Sequence, residues 1–273
     1  MSLQLRKFDM RMIRDDQVVV LIGKRNTGKS FLTKDLLYHH QDIPVGTVIS
    51  PTENANRFYS DIVPPAFIHD EYDQRITNEF MKRQKQLKRR IMNGDTNIDN
   101  RAFLIMDDCL YDKGWQKDKR IREIFMNGRH WGIMYILLMQ YAIGIPPNLR
   151  ANIDWIFILR EQIVKERKKL YENYAGMFPS FEMFCQTMDQ CTDNFECLVI
   201  HNCARSNKLE DQVFWYKANN HEQFQVCSPE AWNYSRLNYR QEDNGEEDGY
   251  QEALNQTRKN KFQLKVKKHG YHV

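Results

Sequence analysis

One stretch near the start of the sequence carries residues that could bind phosphate. Residues 18–22 form a continuous apolar run, and Gly23-x-x-x-x-Gly28-Lys29-Ser30 follows it directly. Glycines let a loop curl so that successive N–H groups point at phosphate oxygens, and a helix starting at Lys29 would direct its positive end at the same anion. Lys29 would reach the β- and γ-phosphates of a nucleotide, and the Ser30 hydroxyl would bind Mg²⁺. The spacing therefore predicts a strand, a P-loop and a helix.

The helix pattern that follows supports this interpretation over a simple glycine-rich turn. Apolar residues recur at positions 31, 32, 36 and 37, as expected for one face of a helix. We therefore assign nucleotide binding to nine consecutive residues: Gly23, Lys24, Arg25, Asn26, Thr27, Gly28, Lys29, Ser30 and Phe31.

Two consecutive acids follow another apolar run. Residues 103–106 are Phe-Leu-Ile-Met, and Asp107 and Asp108 come next. In a P-loop protein this order is the Walker B pattern, in which Asp107 would hold Mg²⁺ through water beside Ser30. Asp108 could reach the other side of the γ-phosphate and polarise the attacking water. The alternative is that both acids only cap the turn that follows.

A glutamine ends the next predicted strand. Residues 133–139 are apolar or aromatic, and Gln140 follows them. A carboxamide at this point can hydrogen-bond both the γ-phosphate and the attacking water, as the sensor residue of additional-strand P-loop ATPases does. These enzymes, which include RecA-like motors, carry an extra strand between the Walker A and Walker B strands. Simple termination of the strand is the alternative for Gln140.

Hydrolysis at such sites usually needs an arginine near the transferred phosphoryl group. Arg129 lies between the Walker B and sensor strands and could act from an adjacent subunit. Arg25 lies inside the P-loop and could act within its own chain, and Arg150 is a third candidate. We place Arg129 first, although each of the three could instead form a structural ion pair.

Strands and helices alternate along the first part of the chain. Apolar runs at residues 17–22, 46–50, 101–108, 133–139 and 154–159 predict strands, and helices are predicted over residues 29–40, 73–93 and 117–129. A shorter helix is predicted over residues 54–59. This alternation predicts an α/β fold with a mostly parallel central sheet and helices on both faces. With the motifs, it indicates a P-loop NTPase of the additional-strand, RecA-like class.

The alternation ends near Arg160, and the chain divides accordingly. We predict a lead-in at residues 1–16 with an edge strand, a P-loop ATPase domain at residues 17–235 and a flexible tail at residues 236–273. The domain would contain a core at residues 17–160 and an extension of helices and strands at residues 161–235. The tail holds an acidic linker at residues 241–248 and a basic segment at residues 256–273. That segment could be a solvated tail, a strand pairing with a neighbour, or an arm for nucleic acid or nuclear targeting.

Composition narrows the protein class. The 273 residues are 41% hydrophobic and 12% aromatic, which supports a substantial core, and the net charge of +4 is too small to indicate nucleic acid by itself. No apolar run approaches the ~18–20 residues of a membrane span, and residues 1–16 lack the apolar segment of a signal peptide. We therefore expect an intracellular protein without a transmembrane segment.

The cysteines do not match a common zinc pattern. Four of the six recur every six residues, at Cys185, Cys191, Cys197 and Cys203. Because zinc sites use closer pairs, reduced structural thiols are favoured over a metal site.

Two competing P-loop classes fit the sequence less well. A GTPase needs Asn-Lys-x-Asp after a late strand, whereas residues 207–210 are Asn-Lys-Leu-Glu. A nucleoside monophosphate kinase would use arginine-rich lid motifs and usually lacks a pair of Walker B acids. Asp108 and Gln140 favour hydrolysis over phosphate transfer.

The order of these motifs resembles the poxvirus-type genome-packaging ATPases of nucleocytoplasmic large DNA viruses, which belong to the FtsK–HerA branch of P-loop motors. The resemblance covers about residues 15–220. It rests on the P-loop and on the segments Leu-Ile-Met-Asp-Asp-Cys at 104–109, Asn-Gly-Arg-His-Trp-Gly-Ile at 127–133, Leu-Met-Gln-Tyr at 138–141 and Pro-x-x-Leu-Arg-x-Asn-Ile-Asp at 146–154. Two later segments, Glu-Cys-Leu-Val-Ile at 196–200 and Val-Phe-Trp-Tyr-Lys-Ala at 213–218, also resemble the family. One departure is Asp108, because glutamate is common there in the wider branch.

The resemblance implies an ATP- and Mg²⁺-dependent motor that moves double-stranded viral DNA into a capsid. It implies a homo-oligomeric ring, capsid or portal-region proteins as partners, and a location in the virion or the cytoplasmic viral factory of the host. By this resemblance, Lys29 and Ser30 bind the phosphates and Mg²⁺, and Asp107 and Asp108 are the Walker B acids. Gln140 is the sensor, and Arg129 is the arginine finger. A helicase-like or recombination ATPase and an ATP-binding ring scaffold without turnover are the alternatives.

Overall fold

The computed structural model describes residues 3–109 and 114–239. The predicted acidic linker and basic segment lie outside these ranges. The compact unit that contains the motifs extends to Arg236. In the described ranges, no helix is both long and apolar enough to cross a bilayer.

Nine strands of the described residues form one sheet in the order β1-β9-β8-β7-β2-β6-β5-β3-β4. They are β1 (Arg6–Lys7), β2 (Val18–Ile22), β3 (Gly46–Ile49), β4 (Ile68–His69), β5 (Ala102–Asp107), β6 (Ile133–Met139), β7 (Trp155–Ile158), β8 (Glu196–His201) and β9 (Val213–Lys217). All neighbouring pairs are parallel except the two that include β8. The strand β6 lies between β2 and β5, so the additional strand predicted from the sequence is present.

The helices of the described ranges pack on both faces of this sheet. They are α1 (Lys29–Tyr38), α2 (Glu53–Asn56), α3 (Gln74–Met92), α4 (Lys119–Asn127), α5 (Pro147–Arg150), α6 (Val164–Tyr174), α7 (Phe181–Cys191), α8 (Leu209–Gln212) and α9 (Pro229–Asn238). Along β2, Val18 and Val20 join the core that α3, α4, α6 and α7 cover, whereas Val19 and Leu21 join the core that α1 covers. This alternation follows from the two-residue period of a strand. The predicted fold class is confirmed.

Several predicted boundaries differ from the structure. The helix predicted over residues 54–59 is only the short α2. The helix predicted over 117–129 starts at Lys119, because the Asp118 side chain accepts a hydrogen bond from the backbone N–H of Arg120 and caps it. It ends at Asn127, where a 3-10 turn follows at Gly128–Trp131. The sequence patterns also gave no indication of α9.

The predicted lead-in contributes to the sheet. The predicted edge strand is present as β1, which pairs with β9. Behind it, Phe8 is buried, and its ring centroid lies 4.9 Å from that of Trp155. The division into lead-in, ATPase domain and tail stays a prediction.

Two clusters of polar residues outside the P-loop stabilise the fold. Arg101 forms ion pairs with Asp15 (2.6 Å), Asp42 (2.7 Å) and Asp99 (2.7 Å), and we call these four residues the Arg101 cluster. On α1, the fully buried carboxylate of Asp35 accepts hydrogen bonds from the Tyr216 hydroxyl (2.6 Å), the backbone N–H of Asn219 (2.9 Å) and the Nε2 atom of His221 (2.6 Å). Asp35 therefore connects α1 to the segment after β9.

Candidate active site

The P-loop lies between β2 and α1 with the backbone geometry that its glycines allow. Gly28 has φ 99°, which is the left-handed region that favours glycine. A Cβ atom on Gly23 would lie 2.7 Å from Oγ1 of Thr27 and 2.8 Å from Cβ of Leu159. Glycine is therefore required at the first position by close approach and at the last by its dihedral angle.

The P-loop lysine lies inside the loop that it serves. Lys29 is buried, and its Nζ donates hydrogen bonds to the carbonyl oxygens of Gly23 (2.6 Å) and Lys24 (3.1 Å). Burial lowers the pKa of Lys29, and the negative charges of Asp108 and Asp107 oppose this shift. The ammonium group is thus held at the pocket wall close to both acids.

The first Walker B acid ends β5 as a buried carboxylate. Asp107 is 7% exposed, and its Oδ2 accepts a hydrogen bond of 2.9 Å from the Tyr59 hydroxyl. Burial, together with the charge of Asp108, raises the pKa of Asp107 to about 6, while the Tyr59 hydrogen bond and Lys29 oppose the shift. Two acids with one nearby ammonium make a site that favours an additional cation.

The second acid contacts the predicted sensor. Gln140 follows β6 directly, and its Nε2 donates a hydrogen bond of 2.8 Å to Oδ2 of Asp108. Asp108 has φ 52°, a left-handed conformation that aspartate tolerates better than most residues. Its Oδ1 is buried without a hydrogen-bond partner among the described residues. The arrangement leaves one carboxylate oxygen available for a water molecule or a ligand.

Lys29 and both Walker B acids share one pocket at the carboxyl edge of the parallel strands, and Gln140 reaches it through its hydrogen bond to Asp108. The pocket has a volume of about 360 Å³ and is lined by seven of the nine assigned P-loop residues, by both Walker B acids and by Thr52 and Asn56. A larger cavity of about 510 Å³ lies beside α7 and lacks a comparable set of acids and phosphate-binding groups. The smaller pocket therefore carries the chemistry.

The three candidate arginines lie in different places. Arg25 lines the pocket. Arg129 precedes β6, whereas Gln140 follows it, and the seven-residue strand separates the two edges of the sheet by about 20 Å. At the edge opposite the pocket, the guanidinium of Arg129 lies 3.6 Å from the carboxylate of Asp154. The Arg150 side chain hydrogen-bonds Asn173. Neither Arg129 nor Arg150 is brought to the pocket of its own chain.

The regularly spaced cysteines do not converge on one site. Cys197 is buried in β8, where burial raises the pKa of its thiol well above the ordinary value, and Cys191 lies at the end of α7. Across the described ranges, cysteines take part in no group of three ligands close enough to hold a metal ion.

Sequence motifs did not indicate several residues that support the site. Tyr59, which bonds Asp107, lies in an irregular segment after α2. Lys24 forms an ion pair of 2.6 Å with Glu161, which connects the P-loop to the segment after β7. The sequence contained one indication of Glu161, namely an acid that follows a predicted strand closely. It contained no indication of Tyr59.

Comparison with known proteins identifies the family. The pattern of the family described as Poxvirus A32 protein matches residues 5–167, which is more than half of the chain. The chain belongs to the poxvirus A32 protein family. The resemblance predicted from the motifs is thereby confirmed.

Relatives of this A32-family chain occur in large DNA viruses. Protein L437 of Acanthamoeba polyphaga mimivirus is 42% identical over 220 residues, covering 79% of this chain and 77% of L437. Protein 075L of Invertebrate iridescent virus 6 is 42% identical over 224 residues, covering 78% of this chain and 85% of 075L.

Solved structures agree on the fold. B204, the DNA-packaging ATPase of Sulfolobus turreted icosahedral virus, matches with a TM-score of 0.51 and 20% identity, covering 76% of this chain and all of B204. EssC (ATPases 2 and 3) of Geobacillus thermodenitrificans matches with a TM-score of 0.50 and 12% identity, covering 82% of this chain and 43% of EssC. At these identities the likeness establishes the shared fold.

Proposed function

We propose that this A32-family chain is an ATP-hydrolysing motor that moves double-stranded viral DNA into a capsid. The observation that carries the proposal is the hydrogen bond between Gln140 and Asp108 at the edge of the P-loop pocket. A protein that only binds nucleotide has no need for an acid and an amide held together where an attacking water would lie. The fold shared with B204, whose homologue from Sulfolobus turreted icosahedral virus 2 has been solved in complex with AMPPCP, supports the same activity.

The residues fit a nucleotide with Mg²⁺. The Ser30 hydroxyl and the Asp107 carboxylate are the hard oxygen donors that Mg²⁺ prefers. Beside them, Oδ1 of Asp108 has no hydrogen-bond partner in the part of the chain that the structure describes, which leaves negative charge unbalanced. When bound, Mg²⁺ would supply positive charge that offsets the charge developing during phosphoryl transfer. We infer that Ser30 and Asp107 hold it.

The chain's own groups would then perform the remaining steps. The P-loop N–H groups and Lys29 bind the phosphate oxygens. Asp108 accepts a proton from the attacking water, and Gln140 fixes the orientation of Asp108 and of that water. The protein thereby supplies position and charge for phosphoryl transfer, as most enzymes of this chemistry do.

We infer that hydrolysis is completed between subunits of a homo-oligomeric ring. Arg129 lies at the edge of the sheet opposite the pocket, so it can act as a finger only on the site of a neighbour. The 47% exposed Arg129 side chain is accessible for such a contact. Arg25, which lines the pocket of its own chain, is the competing candidate.

Mixing two inactive variants distinguishes these candidates. Lys29→Ala removes phosphate binding, and Arg129→Ala removes the finger from the next subunit. If Arg129 acts between subunits, random co-assembly should restore about a quarter of the sites, because each site pairs one subunit with the next around a ring. An Arg129→Ala variant that keeps its activity, with an inactive Arg25→Ala variant, would assign the finger to Arg25.

The activity is tested by ATP hydrolysis with and without long linear duplex DNA. Turnover that rises with duplex DNA and is lost in Asp108→Asn is the expected result, while Glu172→Gln, an exposed acid on α6, should behave as wild type. Stimulation by single strands alone would favour the helicase alternative. ATP binding without turnover at protein concentrations that form rings would favour the scaffold.

DNA contacts are not assigned to particular side chains. Residues 81–90 carry six basic residues on α3. Lys85 pairs with Glu123, and Arg90 pairs with Asp95, so part of this charge is balanced within the chain.

We propose capsid or portal-region proteins as further partners and the virion or viral factory as the location. The ATPase domain at residues 17–235 belongs to the same proposal.

A further inference from the structure

A strained turn lies beside the P-loop. Asn194 and Phe195 have φ 51° and 62°, and the N–H of Glu196 donates a hydrogen bond of 2.9 Å to the carbonyl of Asp193. Two consecutive left-handed residues form a turn that strongly prefers glycine or asparagine at both central positions. Asn194 suits its position, whereas a phenylalanine with positive φ is a genuine outlier.

The core does not explain the presence of this phenylalanine. Phe195 is 67% exposed, so burial of its ring offsets little of the backbone strain. The ring instead lies against the P-loop, because a Cβ atom placed on Gly28 would be 3.5 Å from its Cδ1 and 3.8 Å from its Cβ. Strain that persists at an exposed residue in contact with a binding loop indicates a role toward the ligand.

The sheet order gives the direction in which a nucleotide would extend. Asp107 and Gln140 end β5 and β6, on one side of the P-loop strand β2, whereas β7 and β8 lie on its other side. The γ-phosphate must face Asp107 and Gln140, so the nucleoside leads away from β5 and β6. Because β8 is antiparallel to β7, the turn that precedes β8 lies at the same edge of the sheet as the P-loop. Phe195 therefore lies on the nucleoside side.

We propose that Phe195 is the platform on which the nucleobase of the bound nucleoside triphosphate stacks. The proposal rests on the proposed nucleotide-binding function and adds the base site to it. An exposed aromatic ring offers its face to any purine, so it supplies affinity without selecting one base. The turn holds that ring at the rim of the phosphate site.

The test compares two ligands and three variants. ATP carries the base, whereas inorganic tripolyphosphate presents only the phosphates, so binding of both is measured by calorimetry with Mg²⁺ present. Phe195→Gly removes the ring and relieves the left-handed strain, so it should fold at least as well as wild type. Phe195→Trp keeps a ring, and Asn194→Gly relaxes the same turn while leaving Phe195 unchanged.

We expect Phe195→Gly to weaken ATP binding by about 5- to 150-fold, as loss of one base–aromatic stack implies. Its affinity for tripolyphosphate should equal that of wild type. Phe195→Trp and Asn194→Gly should bind ATP within about twofold of wild type, since both keep a ring at the site. Melting temperatures of all variants verify folding.

Three results would overturn the base site. One is an unchanged ATP affinity in Phe195→Gly. This result would overturn the base site even if the variant no longer assembled into an oligomer. Another is equal weakening of both ligands. The third is a selective loss of ATP binding in Phe31→Ala instead, since Phe31 also lines the pocket and is 43% exposed. A wild type that binds neither ligand would overturn the nucleotide-binding function itself, whereas a Lys29→Ala variant that loses both ligands would support that function.

Discussion

Replacing Gln140 with leucine removes the amide that positions the proposed catalytic acid. Leucine is close to glutamine in size but has no hydrogen-bonding group, so Oδ2 of Asp108 would lose its 2.8 Å donor. Its Oδ1 is already buried without a partner among the described residues. The carboxylate would then have no hydrogen bond from the described residues to fix its orientation toward the attacking water.

The size of the effect follows from the kind of hydrogen bond. A bond to a charged group contributes about 1.5–3 kcal/mol. If the whole of this is lost in the transition state, kcat falls by about 10- to 150-fold, since each 1.36 kcal/mol corresponds to a factor of ten. ATP affinity should stay within about twofold, because binding depends on the P-loop. Gln140→Glu should lose more than Gln140→Leu, since it places a second acid against Asp108.

A double-mutant cycle tests the coupling. Steady-state hydrolysis is measured for Gln140→Leu, Asp108→Ala and the double variant, with ATP binding measured in parallel. If the amide acts through the acid, the double variant should be no slower than Asp108→Ala, giving a coupling energy of about 1.5–3 kcal/mol. Fully additive losses would refute this reasoning, and so would a Gln140→Leu variant with wild-type kcat.

Three further predictions concern stability. Gly46→Ala should lower the free energy of unfolding by at least about 1–3 kcal/mol in urea titration, because its Cβ would lie 1.9 Å from the Phe103 ring; Gly176→Ala, with no atom within 4 Å, is the matched control. Asp35→Ala should cost about 3–5 kcal/mol, since it leaves several buried donors unpaired, and a loss under 1 kcal/mol would contradict this. His40, which lies beside the Arg101 cluster with its Nδ1 2.6 Å from Oδ1 of Asp15, lowers the pKa of Asp15 together with Arg101, and Arg101 lowers the pKa of Asp99. The stabilisation that these two acids contribute is therefore present above about pH 4 and is lost at lower pH. Arg101→Gln should therefore lower the melting temperature at pH 7 and make the decrease in melting temperature between pH 7 and acid pH smaller than in wild type. A variant whose melting temperature decreases as steeply as that of wild type would refute this.

The sequence was sufficient for the parts of the site that follow strands directly. The P-loop, Asp107 and Gln140 each come at the carboxyl end of a strand, and parallel strands bring these ends to one edge. Their convergence could therefore be predicted without knowing the strand order. The same rule could have placed Arg129 on the far edge, because it precedes its strand.

Contacts between distant segments could not be predicted in this way. Tyr59 and Asp107 are 48 positions apart, and Lys24 and Glu161 are 137 apart. Neither pair has a local spacing or period that would reveal it, since each depends on how loops fold over the strand ends. The left-handed turn at Asn194 was equally hidden, because phenylalanine is not a residue that indicates such a turn.

Left-handed backbone is concentrated at the edge of the sheet that carries the P-loop. Among the described residues, six non-glycine positions have positive φ, and four of them, Asn26, Asp108, Asn194 and Phe195, lie in the P-loop, at the end of β5 or in the turn before β8. Asparagine and aspartate tolerate this conformation, whereas at Phe195 it costs about 1–2 kcal/mol, which a fold selected only for stability would avoid. At Phe195 this cost gives opposite expectations for stability and binding, because glycine should stabilise the turn while removing the ring. If Phe195 had a purely structural role, Phe195→Gly would instead lower the free energy of unfolding of the protein. The sign of the change in that free energy therefore distinguishes the two roles without a measurement of activity.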